Sequence, residues 1–540
     1  MIDPRHRFQP RGQGFDGTFM LAYERPLDDP SLLQLWTYTD RLSYAPGDTV
    51  AIHAISTADR FTVDVILDGV TPRVIDRLEV RAGWQTLRPG FQENGCDWPV
   101  AYRWQVPADL PSGFILLVAR ATAADGTVRE QEHGFTIRSA KPGARARTLL
   151  VLATCTWQAY NEWGGGNHYM ADSMGALDFA PRLSFHRPYS KGFMWLPPNA
   201  PRRMPDRTLP HAGITRHNNF EFSYLRGLSK YYASAGWASY DRHFAVWMER
   251  EGRALDIATQ HDLHADPALL DRYDTAVFVG HDEYWTWEMR DAVERFTARG
   301  GNVGRFAGNF YWQVRFEAEN TRQVCYKWAA HQHDPIKGQR LTANWEDPEV
   351  GRPGAGTFGL NGGFGIYAGV GGMVPRGPSG FTVYRPEHWS MAGSDLYYGD
   401  VLGTSARIFG YEVDGLDYVI RDGLPFPTDT AGAPEGLEII GLGLATNTEA
   451  DHGRKWEAGY FNAHGDPALE VLPLRYGEDT PANRDRSSRG SGMMVAFGHG
   501  RGSVFHAGTC DWVAGLTARD PAVEQVTRNV LDRAKTISGG

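Results

Sequence analysis

Hydrophobic residues follow two different patterns along the chain, and the change between them predicts two domains. Between residues 31 and 140, short stretches such as 49–55 and 61–67 alternate apolar with polar side chains. This period of two is typical of half-buried β-strands, and turn residues such as those at 45–48 separate the stretches. A series of short strands of this kind predicts a β-sandwich of the immunoglobulin-like class over residues 31–140.

The second pattern begins after the segment 141–147, whose Pro, Gly and basic residues are typical of a linker. The stretches 148–153 and 274–280 contain continuous apolar runs, as expected for strands buried on both faces of a parallel sheet. Residues 286–297 instead repeat their apolar positions with the period of an amphipathic helix. The alternation of such strands and helices predicts a doubly wound α/β domain over residues 147–540.

Three stretches fall outside these two patterns. Residues 1–30 are polar and contain Pro and Gly, and we expect them to lie as an extended arm over another domain or subunit. Residues from about 154 to 222 are rich in glycine and aromatic side chains, and those from about 345 to 490 are rich in Gly, Pro and Asp. We interpret the last two stretches as long insertions in the α/β domain that form the walls of a crevice.

Composition and charge exclude several classes of function. The formal net charge of -9 argues against a nucleic-acid partner and against binding to an anionic membrane surface. No apolar run approaches the roughly 20 residues of a membrane-spanning helix, and the first ten residues contain no apolar signal core, so we expect a cytoplasmic protein. The cysteines are widely spaced, which fits reduced, buried thiols better than a zinc finger or a redox pair.

The most informative stretch is 277–285, where an apolar strand runs into a polar, aromatic sequence. In extended backbone, residues two apart point to the same side, so His281 and Glu283 are aimed together. Ligands of doubly wound sheets bind at the carboxyl ends of the strands, at the point where the strand order reverses. With a flavodoxin-like strand order, the loops after Ala153 and Gly280 would share one crevice there.

A serine or cysteine nucleophile is the weaker explanation of this crevice. The chain contains no G-x-S-x-G elbow. Cys-His hydrolases of doubly wound folds carry their nucleophile in a tight turn between a strand and a helix. Cys155 follows the first strand, but residues 156–160 contain no glycine for such a turn. We therefore expect catalysis without a covalent acyl-enzyme.

Metal binding is the stronger explanation, although the His281-x-Glu283 spacing alone fits a hydrogen-bonded structural pair equally well. The first-strand loop, residues 157–169, is dense in glycine and polar aromatic residues. A tyrosine ligates metal only as a phenolate, and its reference pKa near 10 means that this needs a strong Lewis acid. Phenolates with a carboxylate form a hard oxygen set that suits Fe(III) better than Zn(II).

Four short motifs in this order resemble the large subunit of N,N-dimethylformamidase, over roughly residues 30–535. They are Ala159-Tyr-Asn161, Phe185-His-Arg-Pro-Tyr189, Gly280-His-Asp-Glu-Tyr-Trp285 and Gly508-Thr-Cys-Asp-Trp512. The resemblance implies an amidotransferase-like α/β domain that follows β-rich domains. It also implies hydrolysis of small N-substituted amides to an acid and an amine, with water activated by one iron ion.

The resemblance also implies which residues form the site. Tyr160, Tyr189 and Glu283 correspond to the two tyrosines and one glutamate that hold a mononuclear Fe(III). His281 precedes the glutamate by two residues and is expected to carry a proton to the departing amine, or only to orient a ligand. Glu412 matches a second pocket glutamate less closely, with a role as general base or, alternatively, as a salt-bridged carboxylate.

Several points stay open from the sequence. Tyr169 and Tyr224 lie in the same insertion as Tyr189 and are alternatives for the second tyrosine. We expect a homo-oligomer, and the need for a small accessory subunit is open because the lectin-like N-terminal domain of larger family members has no counterpart here. Two other functions compete with the iron amidase: a zinc-dependent amidase or sugar hydrolase on the same scaffold, and a non-catalytic carbohydrate-binding protein.

Overall fold

The computed structural model of the protein describes most of the chain, with gaps mainly in the two predicted insertions. The described residues are 7–8, 23–171, 177, 179–198, 200, 223, 226–368, 380–429, 432–446, 476–487 and 489–538. Among them, no helix is both long and apolar enough to cross a membrane. The predicted arm, residues 1–30, lies largely outside the described residues, apart from a short pairing of Arg7–Phe8 with Tyr23–Glu24.

Two sheets form the β-rich N-terminal part, and their strands pair antiparallel except for Ser43–Tyr44, which runs parallel to its neighbour. The five-stranded sheet has the order Ser43–Tyr44, Val128–Ile137, Gly113–Thr122, Phe61–Asp68 and Arg73–Val80. The three-stranded sheet has the order Leu35–Thr39, Thr49–Ser56 and Val100–Gln105. Apolar side chains of both sheets, such as Ile52 and Val65, belong to one buried cluster. The expected strands are present, and the immunoglobulin-like class stays a prediction.

A nine-stranded sheet forms the centre of the rest of the chain. Its order is Asp256–Thr259, Thr148–Leu152, Thr275–His281, Asn302–Gly308, Gly502–His506, Arg489–His499, Glu438–Thr446, Phe381–Val383 and Val401–Leu402. The first five strands are parallel to one another, and the other four continue the sheet in antiparallel pairs. In chain order the parallel strands read 2-1-3-4-5, and in that order the first and third strands flank the switch point. The assignment to an amidotransferase-like class, and the domain bounds, stay predictions.

Helices cover this sheet and connect its strands. The α-helices are Thr154–Tyr160, Arg242–Arg250, Gln260–Ala265, Trp287–Ala298, Ala330–His333, Ala355–Phe358, Pro481–Ser487, Trp512–Ala518 and Pro521–Ser538, with Phe91–Asn94 in the β-rich part. A π-helical turn, Trp237–Asp241, precedes Arg242–Arg250. The 3₁₀ turns are Leu269–Arg272, Lys327–Ala329, Gly338–Arg340 and Trp389–Met391.

Small sheets of two or three strands complete the described structure. They pair Gly166–Asn167 with Met170–Ala171, Arg182–Ser184 with Arg322–Val324 and Arg315–Glu317, Tyr284–Trp285 with Trp312–Gln313, Asn361–Ala368 with Tyr411–Gly415, and Tyr418–Arg421 with Leu424–Pro427.

One expectation about the insertions is corrected. The insertion of about 345–490 was expected to form crevice walls only, but three of its segments pair as strands with the main sheet. The reason is visible in Glu438–Thr446, where Ile439, Ile440 and Leu442 are buried at the sheet and Gly443 allows close packing of Phe409.

Gly280 links the strand Thr275–His281 to the site that follows it, and it generates a prediction. Its φ is +74°, and a Cβ there would lie 2.3 Å from Cβ and 2.4 Å from Cγ of Tyr240. Gly280→Ala should therefore combine a left-handed backbone penalty with overpacking, about 2–4 kcal/mol in total. Urea denaturation of the purified variant measures this loss.

Gly47→Ala is the matched control for that measurement. Gly47 has a φ of +88° but no atom within 4 Å of an added Cβ, so it carries the backbone penalty alone, about 1 kcal/mol. Equal losses in the two variants would show that the packing of Tyr240 against Gly280 does not constrain the strand end.

Candidate metal centre

The strand Thr275–His281 delivers its last residue to the carboxyl edge of the sheet, and Glu283 follows in the next turn. The side chains of His281 and Glu283 are both buried, with 2% of each residue exposed. The Glu283 backbone amide donates to Oγ1 of Thr156, at 2.9 Å, on the helix that follows the first strand. The Glu283 carbonyl accepts from the backbone amide of Trp312 at 3.0 Å. Loops after the first, third and fourth strands thus fix the position of this glutamate.

Two tyrosine hydroxyls lie against the Glu283 carboxylate. The Tyr160 hydroxyl donates to Oε2 at 3.0 Å, and the Tyr169 hydroxyl lies 2.9 Å from Oε1 and 3.0 Å from Oε2. The two hydroxyl oxygens are 2.8 Å apart, and the Tyr284 hydroxyl lies 2.8 Å from that of Tyr169. Burial raises the pKa of Tyr169 well above its ordinary value, and the charge of Glu283 adds to this effect. The cluster therefore concentrates oxygen donors whose deprotonation needs a compensating positive charge.

His281 and Glu412 form a second pair beside this cluster. Nε2 of His281 lies 2.8 Å from Oε2 of Glu412 and 3.2 Å from Oε2 of Glu283, and Nδ1 lies 2.7 Å from the Ser234 carbonyl oxygen. Since a carbonyl can only accept, Nδ1 carries a proton. Burial alone lowers the pKa of His281, but the two glutamates outweigh it and raise that pKa to about 10. Nδ2 of Asn309 donates to Oε2 of Glu412 at 2.8 Å.

Glycine at the end of the fourth strand brings Glu412 to this edge. A Cβ at Gly308 would lie 2.8 Å from the Glu412 carbonyl oxygen and 2.7 Å from the Cys510 backbone nitrogen. The bare backbone therefore allows both chain segments to approach. His281, Glu412 and Cys510 have ligand atoms within 4.8 Å of one another, which makes them a second group of potential metal donors.

Asp282, between the two site residues, points away from the site and supports it. Its carboxylate forms an ion pair with Arg305 and accepts from Gln260 at 2.9 Å. Nε of Arg305 lies 3.2 Å from Nε2 of His506, which in turn lies 3.3 Å from Oδ2 of Asp414. This buried network connects the segments that carry Glu283 and Glu412.

The structure brings four of the five residues that the resemblance implies to one place: Tyr160, Glu283, His281 and Glu412. It does not bring Tyr189 there. The buried Tyr189 ring stacks on His133 with centroids 5.5 Å apart, and its hydroxyl has no hydrogen-bond partner within the described residues.

Tyr169, one of the two alternatives from the sequence, occupies the place expected of the second tyrosine. It arrives there because Gly166–Asn167 and Met170–Ala171 form a tight hairpin that returns the chain to Tyr160. The other alternative, Tyr224, lies outside the described residues. A ligand role for Tyr189 stays a prediction from the resemblance, without support from the contacts of its hydroxyl.

Sequence reasoning missed three side chains at or beside the site. Asn309 has a φ of +60° and follows the fourth strand, so a polar residue just past a buried strand was its signal. Tyr284 was part of a quoted motif but had no assigned role. Lys327, whose Nζ lies 3.4 Å from the centroid of the Tyr169 ring, had no local signal in the sequence.

Comparison with known proteins places the chain in a family. The family model described as N,N-dimethylformamidase beta subunit-like, C-terminal, matches residues 80–526, a span that includes every residue of the cluster. The chain belongs to this family. The resemblance seen in the sequence is thereby confirmed at the level of the family, while the assignment to a large subunit stays a prediction.

Two relatives carry the same family name. The N,N-dimethylformamidase beta subunit of Alcaligenes sp is 30% identical over 204 residues, which cover 33% of this chain and 25% of that protein. The N,N-dimethylformamidase beta subunit of Paracoccus aminophilus is 38% identical over 81 residues, 15% of this chain and 11% of that protein. The matched part of the chain spans at most about a quarter of the length of these relatives.

The buried ion pair of Arg305 generates a prediction about the support of this site. Arg305→Met should leave the Asp282 carboxylate buried without its partner and destabilise the protein by about 3–5 kcal/mol. The matched control is Arg489→Met, whose ion pair with Asp485 has side chains 69% and 62% exposed and should contribute at most about 1 kcal/mol. Urea denaturation compares the two variants, and equal losses would contradict a supporting role for Arg305.

Proposed function

We propose that the protein is an iron-dependent amidohydrolase that cleaves small N-substituted amides to a carboxylic acid and an amine. Membership of the N,N-dimethylformamidase beta subunit-like family supports amide hydrolysis as the reaction class. The observation that carries the metal part of the proposal is the contact of Tyr160, Tyr169 and Glu283, whose oxygens lie 2.8–3.0 Å from one another in a buried cluster.

The chemistry of this donor set fits Fe(III). Two phenolates and one carboxylate would bring three negative charges into a site where Tyr160 and Glu283 are buried and Tyr169 is partly buried. Such charges need compensation of equal size, and hard oxygen donors favour a hard trivalent cation. Tyr160, Tyr169 and Glu283 would hold the ion, and when bound it supplies Lewis acidity for the amide carbonyl and for water.

The chain's own residues provide the proton transfers. Amide cleavage needs a base for the attacking water and an acid for the departing amine. Glu412, oriented by Asn309, is the base, and His281, whose ring is fixed through Nδ1 by the Ser234 carbonyl, carries the proton at Nε2 to the amine. The 2.8 Å contact between Nε2 and Glu412 lets the same proton pass from one group to the other.

The cysteines near the sheet edge do not fit a nucleophilic role. Burial raises the pKa of both Cys155 and Cys510 well above the ordinary value, so a thiolate is costly at either position. The Cys155 amide also donates to Oε1 of Gln260 at 2.9 Å, which fixes that residue in the helix start. These contacts support attack by water without an acyl-enzyme.

A zinc-dependent amidase is the second candidate, favoured by one observation. His281, Glu412 and Cys510 offer nitrogen, oxygen and sulfur within 4.8 Å, and this mixed set suits zinc better than iron. The carbohydrate-binding alternative has less support, because Trp195 is the one strongly exposed tryptophan among those that the structure describes.

The relatives are named beta subunits, so we also propose that this chain works with a subunit of another kind. A homo-oligomeric state and a cytoplasmic location are further proposals from the sequence.

Metal content provides the first test. The purified protein should contain about one iron per chain and a visible phenolate-to-iron band, and Glu283→Gln should lose both because one of three anionic ligands is gone. Tyr169→Phe should weaken the band, because one of two phenolate ligands is lost, whereas Tyr189→Phe, which changes a buried tyrosine that stacks on His133, should leave it unchanged. Elemental analysis and absorption spectra measure these outcomes. Zinc instead of iron, or bleaching by Tyr189→Phe alone, would contradict the proposed ligand set.

Turnover provides the second test. The wild-type protein, with any partner subunit present, should release dimethylamine from N,N-dimethylformamide. His281→Ala should keep its iron but lose activity by about 10²–10⁴-fold, the usual contribution of a proton-transferring side chain. Cys155→Ser is the control and should retain most of the activity. Loss of iron from His281→Ala would instead make His281 a ligand, and loss of activity in Cys155→Ser with iron retained would favour a thiol mechanism.

A further inference from the structure

Lys327 is a buried lysine that the proposed mechanism does not use. It begins the short 3₁₀ turn Lys327–Ala329, and only 1% of the residue is exposed. Its backbone is left-handed, with a φ of +53°, a conformation that costs a residue with a Cβ about 1 kcal/mol. Its amide donates to the Thr342 carbonyl at 2.9 Å, and the Tyr326 amide donates to Thr342 Oγ1 at the same distance. The surrounding structure thus holds an uncommon conformation that fixes where this side chain goes.

The Lys327 ammonium lies among aromatic rings, and Tyr169 is the nearest of them. Its distance to the ring centroid is 3.4 Å for Tyr169, 4.4 Å for Trp328, 5.0 Å for Trp312 and 5.8 Å for Tyr284. A cation over an aromatic face is attracted by the ring electrons, and the attraction grows when both groups are removed from water. Of these four rings, the Tyr169 ring therefore has the closest contact with the ammonium.

This contact becomes stronger when Tyr169 is ionised. The negative charge of a phenolate is shared between its oxygen and the ring, so a cation over the ring face stabilises the phenolate more than the neutral phenol. The Glu283 carboxylate, 2.9 Å from the Tyr169 hydroxyl, places a negative charge at the other end of this side chain. The positive charge of Lys327 lies over the face of the Tyr169 ring, whereas Glu283 and Tyr160 contact the hydroxyl of Tyr169.

We infer that Lys327 is a positioning residue that acts as the countercharge of the Tyr169 phenolate and so strengthens iron binding at the site. The inference rests on the proposed function, because it needs Tyr169 as an iron ligand. It adds a residue from the segment 326–342, which contains none of the proposed ligands, to the determinants of the metal centre.

The test compares three variants of the iron-loaded protein. Lys327→Met keeps the length of the side chain and removes its charge, Lys327→Arg keeps the charge, and Lys337→Met removes a lysine of the same segment whose Nζ donates to the carbonyls of Ala330 and His331 instead. Two quantities are measured for each: the wavelength of the phenolate-to-iron band, and the iron affinity in competition with a chelator.

Lys327→Met should shift the band to longer wavelength, because loss of a nearby positive charge raises the energy of the phenolate electrons. It should also weaken iron binding about tenfold, the order expected for a desolvated cation over an aromatic ring. Lys327→Arg should restore most of both properties, and Lys337→Met should match the wild type. If Lys327→Met does not fold, Lys327→Gln makes the same comparison.

The possible failures are distinct. A wild-type protein without iron or without the band overturns the proposed function itself. A wild-type protein with the band, combined with an unchanged band and affinity in Lys327→Met, overturns the countercharge inference alone. A shift in Lys337→Met as large as that in Lys327→Met also overturns it, because a general disturbance of the segment would then account for the change.

Discussion

The buried Glu283 carboxylate, in contact with two tyrosine hydroxyls, is the interaction on which the rest of the site depends. A carboxylate that is 2% exposed cannot be solvated by bulk water, so the protein must surround it with groups that stabilise its charge. The hydroxyls of Tyr160 and Tyr169 do so on one side, and Nε2 of His281 does so on another. Each of these groups becomes useful for metal chemistry because it is already held against Glu283.

The sheet provides the means to hold them. The parallel order 2-1-3-4-5 places the ends of the first and third strands side by side, so Tyr160 and Glu283 meet although they are 123 positions apart in the chain. Gly280 and Gly308 end neighbouring strands, and each admits an atom that a side chain would exclude. The strand order and these two glycines thus allow four segments that are distant in the chain to meet at one site.

Some residues of the site could be predicted from the sequence and others could not, and the difference has a physical reason. Strand alternation placed His281 and Glu283 on one side, because the period of extended backbone is fixed by geometry. It could not choose between Tyr169 and Tyr189, because that choice depends on the hairpin at 166–171, whose turn has no strong local signal.

The same limit applies to residues whose position is set by other parts of the chain. Lys327 follows the strand Arg322–Val324, which pairs with the distant segment Arg182–Ser184, and its amide donates to the Thr342 carbonyl, so its position depends on contacts between distant segments. The strand Arg73–Val80 was missed because it lies at the edge of its sheet, where mostly polar, exposed side chains hide the alternation.

The sequence His281-Asp-Glu283 shows how a single strand end serves chemistry and support together. Extended backbone sends His281 and Glu283 to the site and Asp282 to the opposite side, where it pairs with Arg305, which in turn contacts His506. Because Asp414 belongs to the same network two positions after Glu412, both glutamates are connected to it through a residue close to them in the chain. The proposed metal centre would therefore draw its rigidity from a buried ion-pair network outside the cluster of tyrosine hydroxyls.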